Sequence, residues 1–327
     1  MASKIEWTEE TWNPVRGCSK VSDGCRNCYA MRQAHRFSGP GKAYEGLTKL
    51  VPGKGPQWTG EIRCVEELLE APLRWKKPRK VFVNSMSDLF HPDVPFEFVD
   101  GVFGVMAVAD RHVFQVLTKR PERMREYMQG RDWGHAANWA VNRFVRQLDG
   151  PLHLRGEVVP PLPNVWLGVS VEDQETADER IPHLLQTPAA VRWLSMEPLL
   201  GAVDLCFAAT IEDGLERHPF PCFPRDVGPT NELHWVVAGG ESGPGARPMH
   251  PEWVRSIRDQ CQAARVPFFF KQWGAWWPAG KRIVENKDMI LFGRDAMYRV
   301  GKKHAGRELD GRTWDEYPEN GGSHAGL

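Results

Sequence analysis

The sequence has no excess of either charge and no long apolar run. Lysine plus arginine and aspartate plus glutamate both number 42 in 327 residues, so the formal net charge is zero. A uniformly basic surface is therefore excluded, although basic stretches lie at residues 74–80 and 299–307. No run reaches the roughly 18 apolar residues of a membrane-spanning helix, and the first residues lack an apolar signal-peptide core. We expect no membrane partner and a cytoplasmic location.

Two common hydrolase motifs are also missing. The sequence contains neither a Gly-x-Ser-x-Gly nucleophile elbow nor a His-Glu-x-x-His zinc helix. A hydrolytic α/β enzyme that uses carboxylates, with its cysteines in a structural role, therefore has no motif to support it.

The cluster of cysteines near the start of the sequence has one cysteine fewer than a four-cysteine structural metal site. Three of the chain's seven cysteines, Cys18, Cys25 and Cys28, fall within eleven residues, and the other four are far apart. In a cytoplasmic chain such isolated cysteines are ordinary thiols rather than disulfide partners. A structural zinc site usually has four ligands, so the cluster of three raises the question of what completes it.

Short apolar, β-branched runs alternate with amphipathic stretches. The predicted strands cover residues 5–7, 80–84, 112–118, 164–171, 191–195, 234–238 and 267–271. The predicted helices cover residues 97–109, 121–128, 175–185 and 252–264. Near-continuous apolar strands indicate a sheet covered on both faces, and alternation with helices indicates parallel strands. About seven strands favour a full or partial (β/α) barrel, with a doubly wound open sheet as the alternative.

The organisation along the chain follows from the same patterns. We predict one barrel domain over residues 1–277 and a C-terminal appendage of hairpin pieces over residues 278–327. Residues 129–163 are loosely patterned and are predicted to be an insertion. Residues 208–229 are rich in proline and charge and are predicted to be a long loop.

Nearly every predicted strand ends in polar residues that an apolar core would not contain. In parallel α/β folds these ends converge on the face that holds the active site. A single polar residue there is equally well explained as a helix cap, but caps do not require Lys-Arg, Gly-Gly-Glu or Lys-Gln sequences. The charged residues predicted to gather on this face are Asp88, Lys119, Arg120, Glu172, Glu197, Glu241 and Lys271.

The cysteine cluster follows the predicted first strand, so it falls on the same face. Zinc with a fourth ligand such as His35, an iron–sulfur cluster, and unlinked thiols all remain open. A four-iron cluster normally takes four cysteines, so three would leave one iron free to bind a cofactor or substrate directly. Reductive cleavage of S-adenosylmethionine, which yields a 5′-deoxyadenosyl radical, requires such a free iron.

Four motifs together resemble those of a phage and prophage protein family of unknown function that has a three-cysteine motif. They are Trp12-Asn13-Pro14, the cysteine run ending in Tyr29-Ala30, Ser195-Met196-Glu197-Pro198-Leu199, and Gly239-Gly240-Glu241-Ser242-Gly243. The resemblance covers about residues 5–277. That family is grouped with the radical S-adenosylmethionine superfamily, which implies a (β/α) barrel and a [4Fe-4S] cluster on Cys18, Cys25 and Cys28.

The sequence departs from the superfamily pattern at two points. Six residues rather than three separate the first two cysteines, and the Gly-Gly-Glu element follows the sixth strand instead of the second. The amine-binding role is therefore not transferred to Glu241. By strand order, Ser87 or Asp88 could bind the amine of S-adenosylmethionine, and Ser170 and Glu172 could contact its ribose.

The leading hypothesis is a radical enzyme that uses a [4Fe-4S] cluster, S-adenosylmethionine and an external electron donor. Its remaining site residues would be Lys119, Arg120, Glu197, Glu241 and Lys271, whose cations could hold a carboxylate or phosphate. The phage association favours nucleic acid or a nucleotide as substrate. The alternative is a non-catalytic zinc module that binds nucleic acid or a partner protein, against which the zero net charge and the polar strand ends both argue.

Overall fold

The structure of the chain is a computed structural model. The structure describes residues 5–130, 161–205, 210–212, 217–219, 233–280, 288–293 and 295–319. Within them, a seven-stranded sheet forms the centre of the molecule, and every strand pair in it is parallel.

The strands of this sheet are neighbours in the order in which they occur along the chain. They are β1 (Glu10–Trp12), β2 (Lys80–Val83), β3 (Val113–Thr118), β4 (Val165–Ser170), β5 (Val191–Met196), β6 (Trp235–Gly239) and β7 (Phe268–Gln272). A doubly wound sheet would reverse its strand order at a switch point. The sequential order therefore confirms the prediction of a partial (β/α) barrel.

Helices connect most of these strands. They are α1 (Tyr29–Arg36), α2 (Phe96–Val108), α3 (Pro121–Gly130), α4 (Gln174–Leu185) and α5 (Pro251–Ala264). The β1–β2 connection is the longest described one and also contains an antiparallel hairpin, Thr48–Val51 paired with Gly55–Trp58. The four predicted helices are present, with ends shifted by two residues or fewer.

The two faces of the sheet carry different apolar residues because side chains alternate along each strand. Val81, Phe114 and Leu167 belong to the large core formed with the helices. Phe82, Trp166 and Trp193 belong to a smaller aromatic cluster on the other, concave face. Because an added Cβ at Gly168 would lie 2.5 Å from the Trp193 indole, glycine is what lets this ring fit inside the barrel.

Two predictions about the main chain were wrong, one in the position of a strand and one in the type of structure. The first strand is Glu10–Trp12, whereas residues 5–7 are irregular and place the Trp7 ring in the concave aromatic cluster. The segment predicted as a strandless loop contains an antiparallel pair, Thr210–Glu212 with Arg217–Pro219. The predicted insertion at 129–163 lies almost wholly outside the described residues.

The C-terminal region forms a small antiparallel sheet beside the barrel. Its strands are Trp276–Gly280, Met289–Phe292 and Asp295–Arg299, followed by the short helix Lys302–Ala305. The first of these strands crosses the predicted boundary between residues 277 and 278. The Phe270 N–H donates to the Trp314 carbonyl at 2.9 Å, so the end of this region adds backbone contacts to β7.

Candidate functional site

A cavity of about 250 Å³ opens at the carboxyl ends of the parallel strands. Its wall includes residues from the ends of β2 to β7, and Trp7 and Phe82 line its deeper part. This is the face on which parallel α/β folds place their active sites. The cavity is the candidate functional site.

The cysteine loop, residues 17–28, lies across this opening. Cys18, Cys25 and Cys28 all line the cavity. Cys18 and Cys28 also pack against a small apolar cluster that α1 and the following hairpin bury between them. That cluster consists of Ala30, Met31, Ala34, Tyr44, Leu47 and Trp58.

Polar contacts join the first half of the loop to two strand ends. Gly17 forms a parallel bridge with Ser87, whose hydroxyl donates to the Val15 carbonyl at 2.7 Å. The Arg120 guanidinium donates to the Ser19 carbonyl at 3.1 Å and to its hydroxyl at 2.9 Å. These contacts fix Cys18, which lies between Gly17 and Ser19.

Two further contacts join the second half of the loop to other strand ends. The Ser22 hydroxyl donates to Glu172 Oε1 at 3.1 Å, and Asn27 Nδ2 donates to Glu241 Oε2 at 2.9 Å. A Cβ at Gly24 would lie 2.5 Å from the Glu172 side chain, so the loop backbone rests directly on this carboxylate. The six-residue gap between Cys18 and Cys25 thus spans from β3 to β4.

The predicted charged residues occur as ion pairs that bridge neighbouring strand ends. Asp88, after β2, pairs with Arg120, after β3, with Nη1 and Oδ2 2.7 Å apart. The same carboxylate accepts from the Thr118 hydroxyl at 2.7 Å and from the Phe90 N–H at 3.0 Å. Asp88 is therefore saturated by the protein, which leaves it little capacity to bind the amine of a cofactor.

Glu172 lies beneath the loop in the most deeply buried of these pairs. It contacts Lys119 and Arg180, with Arg180 Nη1 3.2 Å from Oε2, and the Glu172 and Arg180 side chains are each 1% exposed. Burial lowers the pKa of Lys119 to about 8 even beside this carboxylate. The next residue, Asp173, caps α4 by accepting from the Thr176 N–H at 3.0 Å. Glu172 thus supports the loop and does not line the cavity.

Glu197, after β5, and Lys271, in β7, form an ion pair in the cavity wall. Lys271 Nζ lies 3.1 Å from Glu197 Oε1, and the Ser195 hydroxyl donates to Oε2 at 3.3 Å. All three residues line the cavity. The Lys271 side chain is 18% exposed and the Glu197 side chain is 14% exposed, so the pair remains open to a bound molecule.

Glu241 joins the Gly-Gly-Glu turn to the cysteine loop. Its carboxylate accepts from Arg247 Nη2 at 2.9 Å and from Nε at 3.0 Å, in addition to Asn27. Burial raises the pKa of Glu241, but the Arg247 and Asn27 hydrogen bonds outweigh it and hold the pKa below its usual value. A Cβ at Gly240 would lie 2.1 Å from the Trp273 carbonyl, so glycine at this position permits the turn to approach the backbone that follows β7.

The Glu241 contacts make the fold less stable in acid. A carboxylate whose pKa is depressed in the folded state stabilises the fold fully above its unfolded pKa of about 4.5, and loses this contribution as pH falls through the folded pKa. We expect the free energy of unfolding, measured by urea titration, to fall less steeply below pH 4.5 in Glu241→Gln than in the native chain. Identical slopes would contradict this role for Glu241.

The three thiols differ in their tendency to ionise. Burial raises the pKa of Cys18 to about 12, and burial also raises that of Cys28. Burial acts in the same direction on Cys25, but the Lys119 ammonium and hydrogen bonds from Val21 and Ser22 outweigh it and lower its pKa. Metal binding requires thiolates, and the cation of Lys119 supplies part of the favourable field.

The three cysteines do not form a preassembled metal site with other described residues. In the ranges that the structure describes, no group of three or more His, Cys, Asp and Glu residues is arranged to hold an ion. His35, the fourth zinc ligand suggested by the sequence, has Nδ1 3.1 Å from the Thr48 hydroxyl and is not part of the cavity wall.

Eleven of the twelve predicted site residues share the wall of this one cavity. They are Cys18, Cys25, Cys28, Ser87, Asp88, Lys119, Arg120, Ser170, Glu197, Glu241 and Lys271; Glu172 lies behind it. Sequence reasoning missed Arg180, Arg247 and Asn27, which hold the carboxylates. Arg180 lies eight residues after its partner Glu172, and Arg247 lies six residues after its partner Glu241. These spacings become informative only once the structure of the intervening turn is known.

A family model described as "Protein of unknown function (DUF5131)" matches residues 2–318. The chain belongs to this family. No curated protein and no solved structure matches this DUF5131 chain with significance. Among the described residues, no helix has the length and apolar character needed to cross a membrane.

Proposed function

We propose that this DUF5131 protein is a radical S-adenosylmethionine enzyme with a [4Fe-4S] cluster held by Cys18, Cys25 and Cys28. The observation that supports the proposal is the position of the three thiols. All three line one cavity over the carboxyl ends of a sequentially ordered parallel sheet, and its described wall contains no fourth cysteine. Three thiolates leave one iron of such a cluster free for a cofactor.

The donor set and its surroundings fit this cluster in chemical type. Three thiols are the expected ligands of an iron–sulfur centre, whereas no histidine lines the cavity among the described residues. Their loop is joined to strand ends by Arg120, Glu172 and Glu241, so it is held over the barrel interior. Outer contacts of this kind orient metal ligands.

The other cavity residues have distinct proposed roles. With an external electron donor, the cluster and S-adenosylmethionine would supply a 5′-deoxyadenosyl radical. Ser87 and Ser170 line the wall where strand order predicts the cofactor, while Lys271 and Glu197 present a cation and an anion to the substrate. The Trp7 and Phe82 rings keep the deeper cavity apolar, and thus shield reactive groups from water.

Anaerobic reconstitution of the full chain tests the proposal. We expect a brown protein with about four irons, which releases 5′-deoxyadenosine when reduced in the presence of S-adenosylmethionine. A colourless protein with one tightly bound zinc would instead support the zinc-module alternative. Four irons without 5′-deoxyadenosine would retain the cluster and reject the radical chemistry.

A further inference from the structure

Positive charge is concentrated in residues 16–60, which contain the cysteine loop, α1 and the Thr48–Trp58 hairpin. This segment has eight lysines and arginines but only two acidic residues, Asp23 and Glu45, and so carries a formal charge of +6. Because the whole chain is formally neutral, the remainder carries −6. The zero net charge therefore conceals a basic region beside the cavity.

Six cations of this segment are exposed and form no ion pair with any described residue. They are Lys20, Arg26, Arg36, Lys42, Lys49 and Lys54. Elsewhere in the described part of the chain four exposed cations also lack an ion pair, but they are spread over three separate segments: Lys76 and Lys77, Arg265, and Lys303. A cluster of exposed cations without carboxylate partners is typical of a surface that binds an anionic ligand.

These cations belong to one structural unit at the mouth of the cavity. Lys20 lines the cavity, and its ammonium donates to Gln57 Oε1 at 2.5 Å, which joins the cysteine loop to the hairpin. Trp58, at the end of the hairpin, also lines the cavity and packs in the apolar cluster with α1. A polyanion held by this unit would therefore pass the opening.

Exposed apolar side chains are interleaved with the cations. Seven large apolar residues are exposed in the described part of the chain, and four lie here: Val21, Tyr29, Phe37 and Leu50. Phe37 is 53% exposed and Tyr29 45%, and Tyr29 also lines the cavity. Basic residues combined with exposed aromatic rings match single-stranded nucleic acid, whose phosphates bind cations and whose bases stack on rings.

We propose that residues 16–60 bind a single-stranded nucleic acid and present one of its nucleotides to the cavity. The inference names the substrate class of the proposed enzyme and rests on that proposal only for the chemistry. Phosphates would contact the six exposed cations, and bases would stack on Phe37 and Tyr29. Anionic lipid is the competing ligand, since apolar residues among cations also suit a membrane surface.

Fluorescence anisotropy with the full chain, without reconstitution, tests this surface. The probes are labelled DNA and RNA strands of about twenty nucleotides, which exceed a typical single-strand site. We expect Lys42→Glu/Lys49→Glu/Lys54→Glu to weaken strand binding about tenfold or more. The plot of log binding constant against log salt concentration should also become shallower by about 2, because each phosphate contact on a single strand contributes about 0.7 to the slope and three lysines are replaced.

The matched control is Lys76→Glu/Lys77→Glu/Lys303→Glu, which changes the net charge equally at exposed lysines outside this segment. It should bind like the native chain, and Phe37→Ala should bind about fivefold more weakly with an unchanged salt slope. No binding by the native chain, equal losses in both triple variants, or binding to anionic vesicles but not to strands would overturn the inference.

The two proposals fail in distinguishable ways. A native chain that binds strands but takes up no iron would leave this surface in place and reject the radical enzyme. A chain that produces 5′-deoxyadenosine but binds no strand would support the radical enzyme and reject the nucleic-acid surface. Comparing the DNA and RNA probes identifies which strand is preferred, since only RNA carries the 2′-hydroxyl.

Discussion

Replacing Cys18, Cys25 or Cys28 by alanine is expected to lower the iron content of the reconstituted protein from about four atoms to below one. Formation of 5′-deoxyadenosine should fall below detection. The physical reason is that a cluster with three protein ligands has none to spare, and the loss of one thiolate leaves two irons without protein ligands. Iron and sulfide analysis, absorption spectra and product chromatography measure the effect.

Cys64→Ala is the matched control for these variants. Its thiol is half-buried like those of the cluster, but it lies in a strand beside Val15 and does not line the cavity. We expect it to retain native iron content and native product formation. Equal losses in Cys64→Ala, or full iron content in any of the three cluster variants, would contradict the assignment of the ligands.

Glu172→Gln is expected to destabilise the fold by about 3–5 kcal/mol. The substitution removes the carboxylate between Lys119 and Arg180 and leaves the Arg180 guanidinium, which is 1% exposed, without this counter-charge. It also weakens the anchor of the cysteine loop at Ser22. Urea unfolding followed by circular dichroism, extrapolated to zero denaturant, measures the change in free energy.

Glu179→Gln provides the comparison on the same arginine. The Glu179 side chain is 61% exposed and its carboxylate lies 3.6 Å from Arg180 Nε, so its loss should change stability by no more than about 0.5 kcal/mol. Adding Arg180→Met to Glu172→Gln should restore part of the lost stability, because it removes the uncompensated buried charge. If Glu172→Gln lowers the free energy of unfolding by no more than Glu179→Gln does, Glu172 is not the buried counter-charge on which Arg180 depends.

The strands of the barrel could be predicted from sequence because their burial is nearly complete. Val165–Ser170 and Val191–Met196 are buried at every position, and apolar residues therefore dominate both segments even though Arg192 and Ser195 lie within the second. The first strand was predicted too early in the chain because Ile5 to Trp7 and Glu10–Trp12 both contain an indole, and it is Glu10–Trp12 that pairs with β2. Its three-residue length provides too little pattern to separate the two.

The pairing of the charged residues could not be predicted. Asp88 and Arg120 are 32 residues apart, Glu197 and Lys271 are 74 apart, and their meeting depends on which strand ends become neighbours. Sequence reasoning brought all of them to one face but treated each as available for ligands. In the folded chain Asp88, Glu172 and Glu241 are occupied by protein cations, while Glu197 and Lys271 remain the open pair.

The sequence by itself determined the parallel α/β class, the face on which polar residues gather, and the cluster of three cysteines with no fourth beside it. These properties are local, since they depend on alternation along a strand and on residues close together in the chain. The tertiary structure alone decided that the cysteine loop spans from β3 to β4 and rests on Glu172. It also decided that the segment carrying the unpaired cations, residues 16–60, borders the cavity through Lys20, the cysteines and Trp58. Both depend on contacts between segments far apart in sequence, where burial and charge compensation become visible only after folding.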